Sequence, residues 1–245
     1  LSEPCGAKRK RIKYPPPLCP RHLTRCVNET HAMTMLKAAI IPVTPFQQNC
    51  TILFDDGEKR GVVIDPGGEV ERIRAAIEKA GIKAEAIWLT HGHIDHAGGA
   101  MDLKDALGVE ILGPHEGDRE MLLHLTDQAQ MFGLADTVRN VVPDRFLNEG
   151  DVVSFAGHEF EVLHCPGHAP GHVVFYNANA KFAYVGDVLF NGSIGRTDLP
   201  GGDHGALIRS IKDKLLPLGD DVGFLCGHGP GGRFGDERRN NPFLI

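Results

Sequence analysis

The stretch "LTHGHIDHAGG", residues 89–99, concentrates side chains that bind metal ions: His91, His93, Asp95 and His96. Imidazole nitrogens and carboxylate oxygens are ligands that zinc takes at ~2.0–2.2 Å. In extended backbone His91 and His93 project to the same side, whereas the neighbours Asp95 and His96 must point in different directions. One ion cannot easily take all four side chains, so the spacing indicates two adjacent metal ions.

Three more segments have a form that suits the remaining ligands. "CPGHAPGH", "YVGDVLF" and "FLCGHGP" each place a ligand-type side chain after an apolar run and a glycine, giving His168, Asp187 and His228. A lone Gly-Asp is more often a turn, and a lone histidine at a strand end is usually a hydrogen-bonded surface residue. Together with the dense first motif, however, the three favour one shared site. Carboxylate oxygens can bridge two metals, so Asp187 is the natural shared ligand.

Short apolar runs closed by Gly, Pro or Asp must position these side chains. "AAIIPV", "CTILF", "GVVIDPGG" and "AEAIWLT" predict strands, and the last of them runs directly into the histidine motif. "EVERIRAAIEKAG" predicts an amphipathic helix that Gly81 closes. A helix over about residues 100–107, the strand "VEILG" and a helix over residues 116–133 follow. The motif is therefore expected at the carboxyl edge of a sheet, where sites collect in α/β folds.

The second half of the chain predicts a similar series of elements. "RFLNEG", "DVVSF", "HEFEVLHCPGH", "HVVFYNA" and "KFAYVGDVLF" predict strands, and "HGALIRSIKDKLLPLG" predicts a second long helix. "DVGFLCGHGP" is expected to end the regular structure with one more strand. Two packed sheets with helices outside both would bury all of these apolar strands. The sequence therefore predicts an α/β sandwich that forms one domain.

Residues 1–34 differ in composition from the rest of the chain. They carry seven Lys or Arg and two Glu in a protein of net charge −6, which leaves −11 for the remainder. The segment contains a Pro-Pro-Pro run and has no hydrophobic periodicity. It is predicted to be a disordered leader or a non-native extension, with the folded domain over residues 35–245.

Composition argues against several classes of protein. No apolar run reaches the ~20 residues that a membrane-spanning helix needs, so no membrane partner is expected. The acidic body disfavours nucleic acid as a partner. Six cysteines are too few and too scattered for a disulfide scaffold, which favours a reducing, cytoplasmic setting. A monomer or a small homo-oligomer is expected.

These motifs resemble the metallo-β-lactamase-fold superfamily and, more narrowly, its short bacterial glyoxalase II-type (hydroxyacylglutathione hydrolase-like) hydrolases. "TPFQQNC", "GSIGRTDLPGGDH", "KLLPLGDDV" and "ERRNNPFL" carry the narrower resemblance. The family implies an αββα sandwich of two mixed sheets with helices on the outer faces and two divalent ions at one edge, most commonly zinc, with iron or manganese as alternatives. The resemblance assigns one ion to His91, His93 and His168, and the other to Asp95, His96 and His228. Asp187 and a hydroxide would lie between them.

The implied reaction is hydrolysis of a thioester such as S-lactoylglutathione to a hydroxy acid and glutathione. We expect the hydroxide to attack the thioester carbonyl and Asp95 to take up the proton left on the attacking oxygen. Asp65 and His172 are expected to support the ligands by hydrogen bonds. Arg196 stands where similar enzymes have a lysine that contacts glutathione, and it can hold a carboxylate bidentately. Asp198 replaces a tyrosine of that pattern, which weakens the match in the substrate region.

Three alternatives remain open on the sequence. A mononuclear iron persulfide dioxygenase of the same fold has a pattern that "GRTD", residues 195–198, resembles. Another hydrolase of the superfamily, a lactonase or a β-lactamase, is the second alternative, and the residues between Asp187 and Arg196 argue mildly against both. A metal-binding protein without catalytic activity is the third alternative, and a complete set of ligands argues against it.

Overall fold

The structure is a computed structural model that describes residues 35–133 and 138–245, so the predicted leader lies outside the described residues. The first half contains β1 (Leu36–Val43), β2 (Gln48–Asp55), β3 (Arg60–Ile64), α1 (Val70–Ala80), β4 (Lys83–Trp88), α2 (Ile94–Ala97), α3 (Ala100–Leu107), β5 (Glu110–Leu112), α4 (Arg119–Leu123) and α5 (Leu125–Phe132). The second half contains β6 (Val152–Phe155), β7 (His158–His164), β8 (Val173–Asn177), β9 (Phe182–Tyr184), β10 (Leu189–Phe190), β11 (Ser193–Ile194), α6 (His204–Arg209), β12 (Gly223–Leu225), β13 (Gly232–Arg233) and α7 (Phe234–Asn240).

Two mixed sheets form the centre of the fold. The first has the order β1-β2-β3-β4-β5, with antiparallel pairing from β1 to β3 and parallel pairing from β3 to β5. The second has the order β13-β12-β9-β8-β7-β6, and its one parallel pair is β9 with β12. β10 and β11 form a separate two-stranded ribbon. The parallel strands bring the residues that follow β4, β9 and β12 to the carboxyl edges of their sheets.

Three apolar clusters show how the layers pack. Trp88 of the first sheet lies against Phe160 and Phe175 of the second, so the middle cluster fills the space between the sheets. A second cluster joins the outer face of the first sheet to α1, α3 and α5. A third joins the outer face of the second sheet to α6 and α7. The layer order is helices, sheet, sheet and helices, which confirms the predicted αββα sandwich.

Three local predictions were wrong. "RFLNEG" forms no named strand, since Arg145 makes only an isolated bridge to Leu112. The predicted helix over residues 116–133 breaks at His124 into α4 and α5. Regular structure continues past β12 with α7, which was missed because only one large apolar side chain of "FGDERRN", that of Phe234, anchors it in the core.

The second long helix is also less regular than predicted. α6 ends at Arg209 and continues as a π-helical segment, Ser210–Leu215, followed by a 3-10 turn, Leu216–Leu218. Pro217 lies in that turn and cannot extend the helix, because it has no N–H to donate. No helix within the described ranges is both long enough and apolar enough to cross a membrane.

Candidate metal centre

The predicted ligands follow the ends of strands in both sheets. β4 ends at Trp88, and the chain then passes through His91 and His93 into the short helix α2, whose first turns carry Asp95 and His96. The other three side chains follow β7, β9 and β12 and are His168, Asp187 and His228. Four segments distant in sequence therefore meet at one edge of the sandwich. The structure brings together all seven side chains singled out in the sequence.

Three imidazoles form one side of the site. Ligand-type nitrogens of His91, His93 and His168 all lie within 4.8 Å of one another. His93 Nδ1 lies 2.9 Å from His168 Nε2. Burial lowers the pKa of each ring, that of His93 to about 3 and that of His91 well below the ordinary value. All three rings are therefore neutral at pH 7, the state in which imidazole binds a metal ion.

The other side of the site contains a carboxylate. Atoms of Asp95, His96 and His228 also lie within 4.8 Å of one another, and His228 Nε2 is 3.2 Å from Asp95 Oδ2. Burial disfavours the charged form of both rings. The charges of Asp187 and Asp95 oppose it, and the net effect raises the pKa of His96 well above its ordinary value and also raises that of His228. This side therefore keeps its protons to higher pH than the first side.

Asp187 lies between the two triads. Its Oδ1 is 3.4 Å from His96 Nε2, and its Oδ2 is 3.6 Å from the Nε2 of His168 and 3.5 Å from that of His228. Burial alone would raise the pKa of Asp187, but His96, His168 and His228 together outweigh burial and lower it. The side chain is thus an anion placed within reach of ligands from both sides.

Three buried atoms of the site have no hydrogen-bond partner among the residues that the structure describes: His91 Nε2, His96 Nε2 and Asp187 Oδ1. A buried polar atom without a partner is costly, and native proteins rarely tolerate one without a reason. Here all three belong to one group whose atoms lie within 4.8 Å of one another. The donor set of nitrogen and carboxylate oxygen fits divalent cations, and an ion in each half would give all three atoms a partner.

Asp65 and His172 support the site through hydrogen bonds. Asp65 is fully buried, and its Oδ2 accepts from His96 Nδ1 at 2.9 Å and from Thr90 Oγ1 at 2.7 Å. His172 Nε2 accepts from the backbone N–H of Asp187 at 3.0 Å, which places the proton of the neutral ring on Nδ1. Asp65 therefore orients a predicted ligand directly, whereas His172 holds the backbone of one.

Glycines let the backbone approach the ligands closely. A Cβ on Gly227 would collide with Asp187 Oδ1 and would come within 2.5 Å of His96 Cε1. Gly195 is equally constrained, because a Cβ there would collide with the carbonyl oxygen of Asp187. Any side chain at either position would displace Asp187. This explains the glycine before His228 in "FLCGHGP" and the second glycine of "GSIGRTDLPGGDH".

Asn49 is a residue of the site region that sequence reasoning missed. Its side-chain Nδ2 donates to the carbonyls of Cys226, at 3.0 Å, and Gly229, at 2.8 Å, on either side of His228. Its backbone N–H donates to Gly227 O at 2.7 Å. Asn49 thereby fixes the loop that presents His228. The signal in the sequence is "TPFQQNC", which contains Asn49 and carries the family resemblance, but it does not indicate what Asn49 contacts.

Arg196 lies at the rim of the imidazole side. Its carbonyl oxygen accepts from His168 Nδ1 at 2.8 Å, so the backbone orients a predicted ligand. Its guanidinium is largely exposed and binds both carboxylate oxygens of Asp198, at 2.8 and 2.7 Å. The side chain lies at the edge of the sandwich that holds the candidate site. Asp198 is an intramolecular partner that the sequence did not indicate.

A cleft of about 740 Å³ opens beside the carboxylate side of the site. Asp95 and Ile94 form part of its wall, and Phe46 forms part of its rim. Phe46 packs edge-on against Phe132, with ring centroids 5.2 Å apart, and both rings are partly exposed. The lining of the cleft is mixed, because charged residues accompany the apolar ones: Glu69, Glu71, Arg72 and Asp102.

Comparison with known proteins agrees with this geometry. Residues 43–228 match the family model of the metallo-beta-lactamase superfamily. The chain belongs to that superfamily. Over 206 residues it is 51% identical to hydroxyacylglutathione hydrolase GloC of Haemophilus influenzae, covering 84% of this chain and 96% of that protein. Family and relative together identify the chain as a metal-dependent hydrolase and confirm the predicted glyoxalase II-type resemblance.

Two solved structures show the same fold at substantial identity. The crystal structure of the BLEG-1 B3 metallo-beta-lactamase superposes with a TM-score of 0.77 and 36% identity, over 86% of this chain and 99% of that one. The structure of TTHA1623 in a di-iron-bound form superposes with a TM-score of 0.75 and 40% identity, over 84% of this chain and 100% of that one. The second shows that a protein of this fold and similar sequence holds two metal ions.

Proposed function

We propose that the chain hydrolyses thioesters of glutathione, S-lactoylglutathione among them, to a hydroxy acid and free glutathione. The observation that carries the proposal is the convergence of two ligand triads on the buried Asp187. The 51% identity to a protein named hydroxyacylglutathione hydrolase supports the choice of substrate class. The proposed reaction is the one expected from the sequence motifs.

The residues divide into two sets that would each hold one divalent ion. The first set is His91, His93 and His168, the second is Asp95, His96 and His228, and Asp187 is shared between them. We propose zinc in both places, with iron and manganese as alternatives, since a structural neighbour was crystallised with two irons. Ion identity depends on supply as well as on ligand type.

When bound, such ions act as Lewis acids and lower the pKa of water from ~15.7 toward ~7. Asp95 is the proposed proton acceptor for the attacking oxygen. Burial alone would raise the pKa of Asp95, but the nearby His96 and His228 lower it, so the carboxylate is ionised at neutral pH. Asp95 also lines the cleft through which a substrate would approach. The departing thiolate is a good leaving group, so the reaction needs little help from an acid.

We propose that Arg196 binds a carboxylate of the glutathione moiety by exchanging Asp198 for the substrate. Arg196→Ala should then raise KM about tenfold while leaving kcat within about twofold, because a lost charged hydrogen bond costs ~1.5–3 kcal/mol and exposure reduces that cost. Steady-state kinetics with S-lactoylglutathione measures this. Arg60→Ala is the matched control, since Arg60 is an exposed arginine, also paired with carboxylates, at the start of β3. An unchanged KM in Arg196→Ala would remove the residue from substrate binding.

A thiol-release assay on a small panel tests the proposal itself. The panel contains S-lactoylglutathione, other glutathione thioesters, a lactone and a β-lactam, each offered to metal-loaded protein. We expect the glutathione thioesters to be the best substrates. If no thioester is turned over, the proposed function is wrong. Sulfite production from glutathione persulfide by protein with one iron per chain would instead indicate the dioxygenase alternative.

β-Lactam hydrolysis is a second candidate function. It is favoured by the 36% identity to the BLEG-1 metallo-beta-lactamase, which covers nearly all of that chain. The same ligand triads would serve either substrate, so the panel distinguishes them by kcat/KM. A higher kcat/KM for the β-lactam than for every thioester would make this candidate the better assignment.

We also propose a reducing, cytoplasmic setting for the reaction. Cys50, Cys165 and Cys226 are buried and free, as expected for thiols that pack as small apolar groups. Burial raises the pKa of Cys165 and of Cys226 to about 12, which keeps both thiols protonated and unreactive.

A further inference from the structure

Asp118 is a fully buried carboxylate for which the proposed reaction has no use. It ends the 3-10 turn Glu116–Asp118 that precedes α4. Its Oδ2 accepts from the backbone N–H of Gly92 at 2.8 Å, and its Oδ1 accepts from that of Gly171 at 2.5 Å. Within the described ranges, no Lys, Arg or His nitrogen lies within 4.0 Å of either oxygen. Two backbone N–H groups are therefore the direct partners of this buried charge.

The two N–H groups belong to two different ligand loops. Gly92 lies between His91 and His93, whereas Gly171 lies in the loop that carries His168. The turn that holds Asp118 belongs to neither loop and is reached through β5. One side chain from a third segment thus joins the two segments that supply the imidazole triad.

The glycines at both contacts are required by this approach. A Cβ on Gly171 would lie 2.5 Å from the backbone nitrogen of Asp118 and 2.7 Å from its Cγ. A Cβ on Gly92 would lie 3.2 Å from the Cβ of Asp118, closer than most real contacts of this kind. Each ligand loop is therefore packed directly onto Asp118. Gly92 of "HGH" and Gly171 of the second "PGH" make that packing feasible.

A buried carboxylate without a cation is costly, so its presence calls for a compensating role. Burial raises the pKa of Asp118 to about 6, although the two N–H groups act in the opposite direction. The group is thus mainly ionised at neutral pH, and both oxygens can accept. The loops are also linked directly, since Val173 N–H donates to Thr90 O at 2.8 Å. The fold of this region therefore does not depend on Asp118 alone.

We propose that Asp118 is a positioning residue for the triad of His91, His93 and His168, bracing its two loops at the separation that a metal ion requires. The proposal rests on the metal centre of the proposed function. Loss of a hydrogen-bond partner behind a metal ligand costs about 10–100-fold in metal affinity. Asp118 contacts the backbone of the loops and not a ligand side chain, but it contacts both loops.

The test measures stepwise zinc affinities of the full chain by competition with a chromophoric chelator. Asp118→Asn keeps the shape but turns one acceptor oxygen into an NH2 group that faces a backbone N–H. We expect the affinity of one of the two steps to fall by about 10–100-fold and the other to stay within about twofold. Asp55→Asn is the matched control, because Asp55 is also buried and accepts two backbone N–H groups, from Gly57 and Glu58. Its zinc affinities should match the wild type.

A double-mutant cycle assigns the weakened step. In a His93→Ala background the imidazole triad is already broken, so adding Asp118→Asn should change the remaining affinity by no more than about twofold. In a His228→Ala background the imidazole triad remains, and the same addition should weaken it by about 10–100-fold. Equal weakening in both backgrounds would overturn the proposal, because it would indicate a general loosening of the site.

Three further outcomes separate failure of the brace from failure of the metal centre. If the wild type binds two zinc ions and Asp118→Asn binds them equally well, Asp118 is not a brace, and the proposed function stands. If Asp118→Asn and Asp118→Ala both lose the native circular dichroism without metal while Asp55→Asn keeps it, Asp118 is a determinant of folding, and the proposal is overturned. If the wild type binds no metal, the proposed function fails and the brace fails with it.

Discussion

The two halves of the candidate metal centre differ in charge, although each contains three predicted ligands. His91, His93 and His168 are imidazoles whose pKa values are lowered, chiefly by burial. His96 and His228 are also buried in part or in full, yet their pKa values are raised, because nearby carboxylates outweigh burial. The same residue type therefore has opposite protonation behaviour a few ångströms apart.

Asp187 and Asp95 are the main cause of this difference, and the contacts behind the ligands add to it. His168 Nδ1 donates to a neutral backbone carbonyl, that of Arg196, whereas His96 Nδ1 contacts the carboxylate of Asp65. A carboxylate partner favours the charged imidazole, and a carbonyl does so only weakly. The imidazole side is consequently ready for a metal ion at neutral pH. The carboxylate side must first release protons, and its affinity is tied to pH.

Asp187→Asn should produce the largest effect, because Asp187 lies within 3.6 Å of ligand nitrogens from both halves. We expect both zinc affinities to fall and thioester hydrolysis to decrease by more than about 100-fold, beyond the usual cost of losing a ligand's hydrogen-bond partner. Chelator competition and thiol release measure the two effects. Asp221→Asn, which changes an exposed carboxylate paired with Lys181, should behave like the wild type. If the affinity of only one of the two zinc-binding steps falls, the two halves do not share Asp187.

His93→Ala and His228→Ala break one half each. Each variant should bind one zinc ion instead of two, because the intact triad of the other half and Asp187 remain. His93→Ala should also abolish thioester hydrolysis while the protein stays soluble. His204→Ala, a change of an exposed histidine in α6, is the control. A near-normal rate in His93→Ala would contradict the proposed use of the imidazole side.

The pH dependence of metal binding should separate the two halves next. A group with a raised pKa keeps its proton to higher pH, so a metal ion competes with that proton until pH exceeds the raised pKa. The affinity of the carboxylate side should therefore rise with pH, by about tenfold between pH 6.5 and 7.5 for one released proton, while the imidazole side stays nearly constant. Calorimetry in buffers of different ionisation enthalpy counts the protons. Equal proton release in both steps would contradict the comparison.

Asn49→Ala should give the smallest effect and should act on the carboxylate side alone. The variant removes two hydrogen bonds that hold the loop of His228. At ~1 kcal/mol for each neutral hydrogen bond the loss is ~2 kcal/mol. The backbone N–H of Asn49 still holds Gly227 O, so we expect about half of this loss at the metal and a fall in affinity of about fivefold on that side. Asn191→Ala, which removes an exposed amide bonded to Gly231 O, is the control. If Asn49→Ala also lowers the zinc affinity of the imidazole side, the loop affects both halves.

The sequence predicted which seven side chains the fold brings together, because each lies shortly after a predicted strand. Asp95 and His96 are the most distant from their strand and lie on α2. β7, β9 and β12 run in the same direction, so their ends meet at one edge of the second sheet. The metal-ligand roles themselves stay predictions that the experiments above test.

The residues that support the site were harder to predict. Asp118 and Asn49 act on backbone N–H and carbonyl groups of loops that are distant in sequence, and nothing about an Asp or Asn in a turn or at a strand start indicates which loop it will contact. Elements with weak periodicity were missed for a related reason. α7 is held by Phe234 and by the buried Glu237, which accepts from Gly192 N–H, rather than by an apolar stripe.

Anomalous diffraction from crystals of the zinc-loaded protein, collected at the zinc absorption edge, tests the central claim most directly. We predict two strong peaks on either side of the Asp187 carboxylate, one among His91, His93 and His168 and the other among Asp95, His96 and His228. A single peak, or two peaks of which neither lies within bonding distance of Asp187, would contradict the account of a shared two-metal centre.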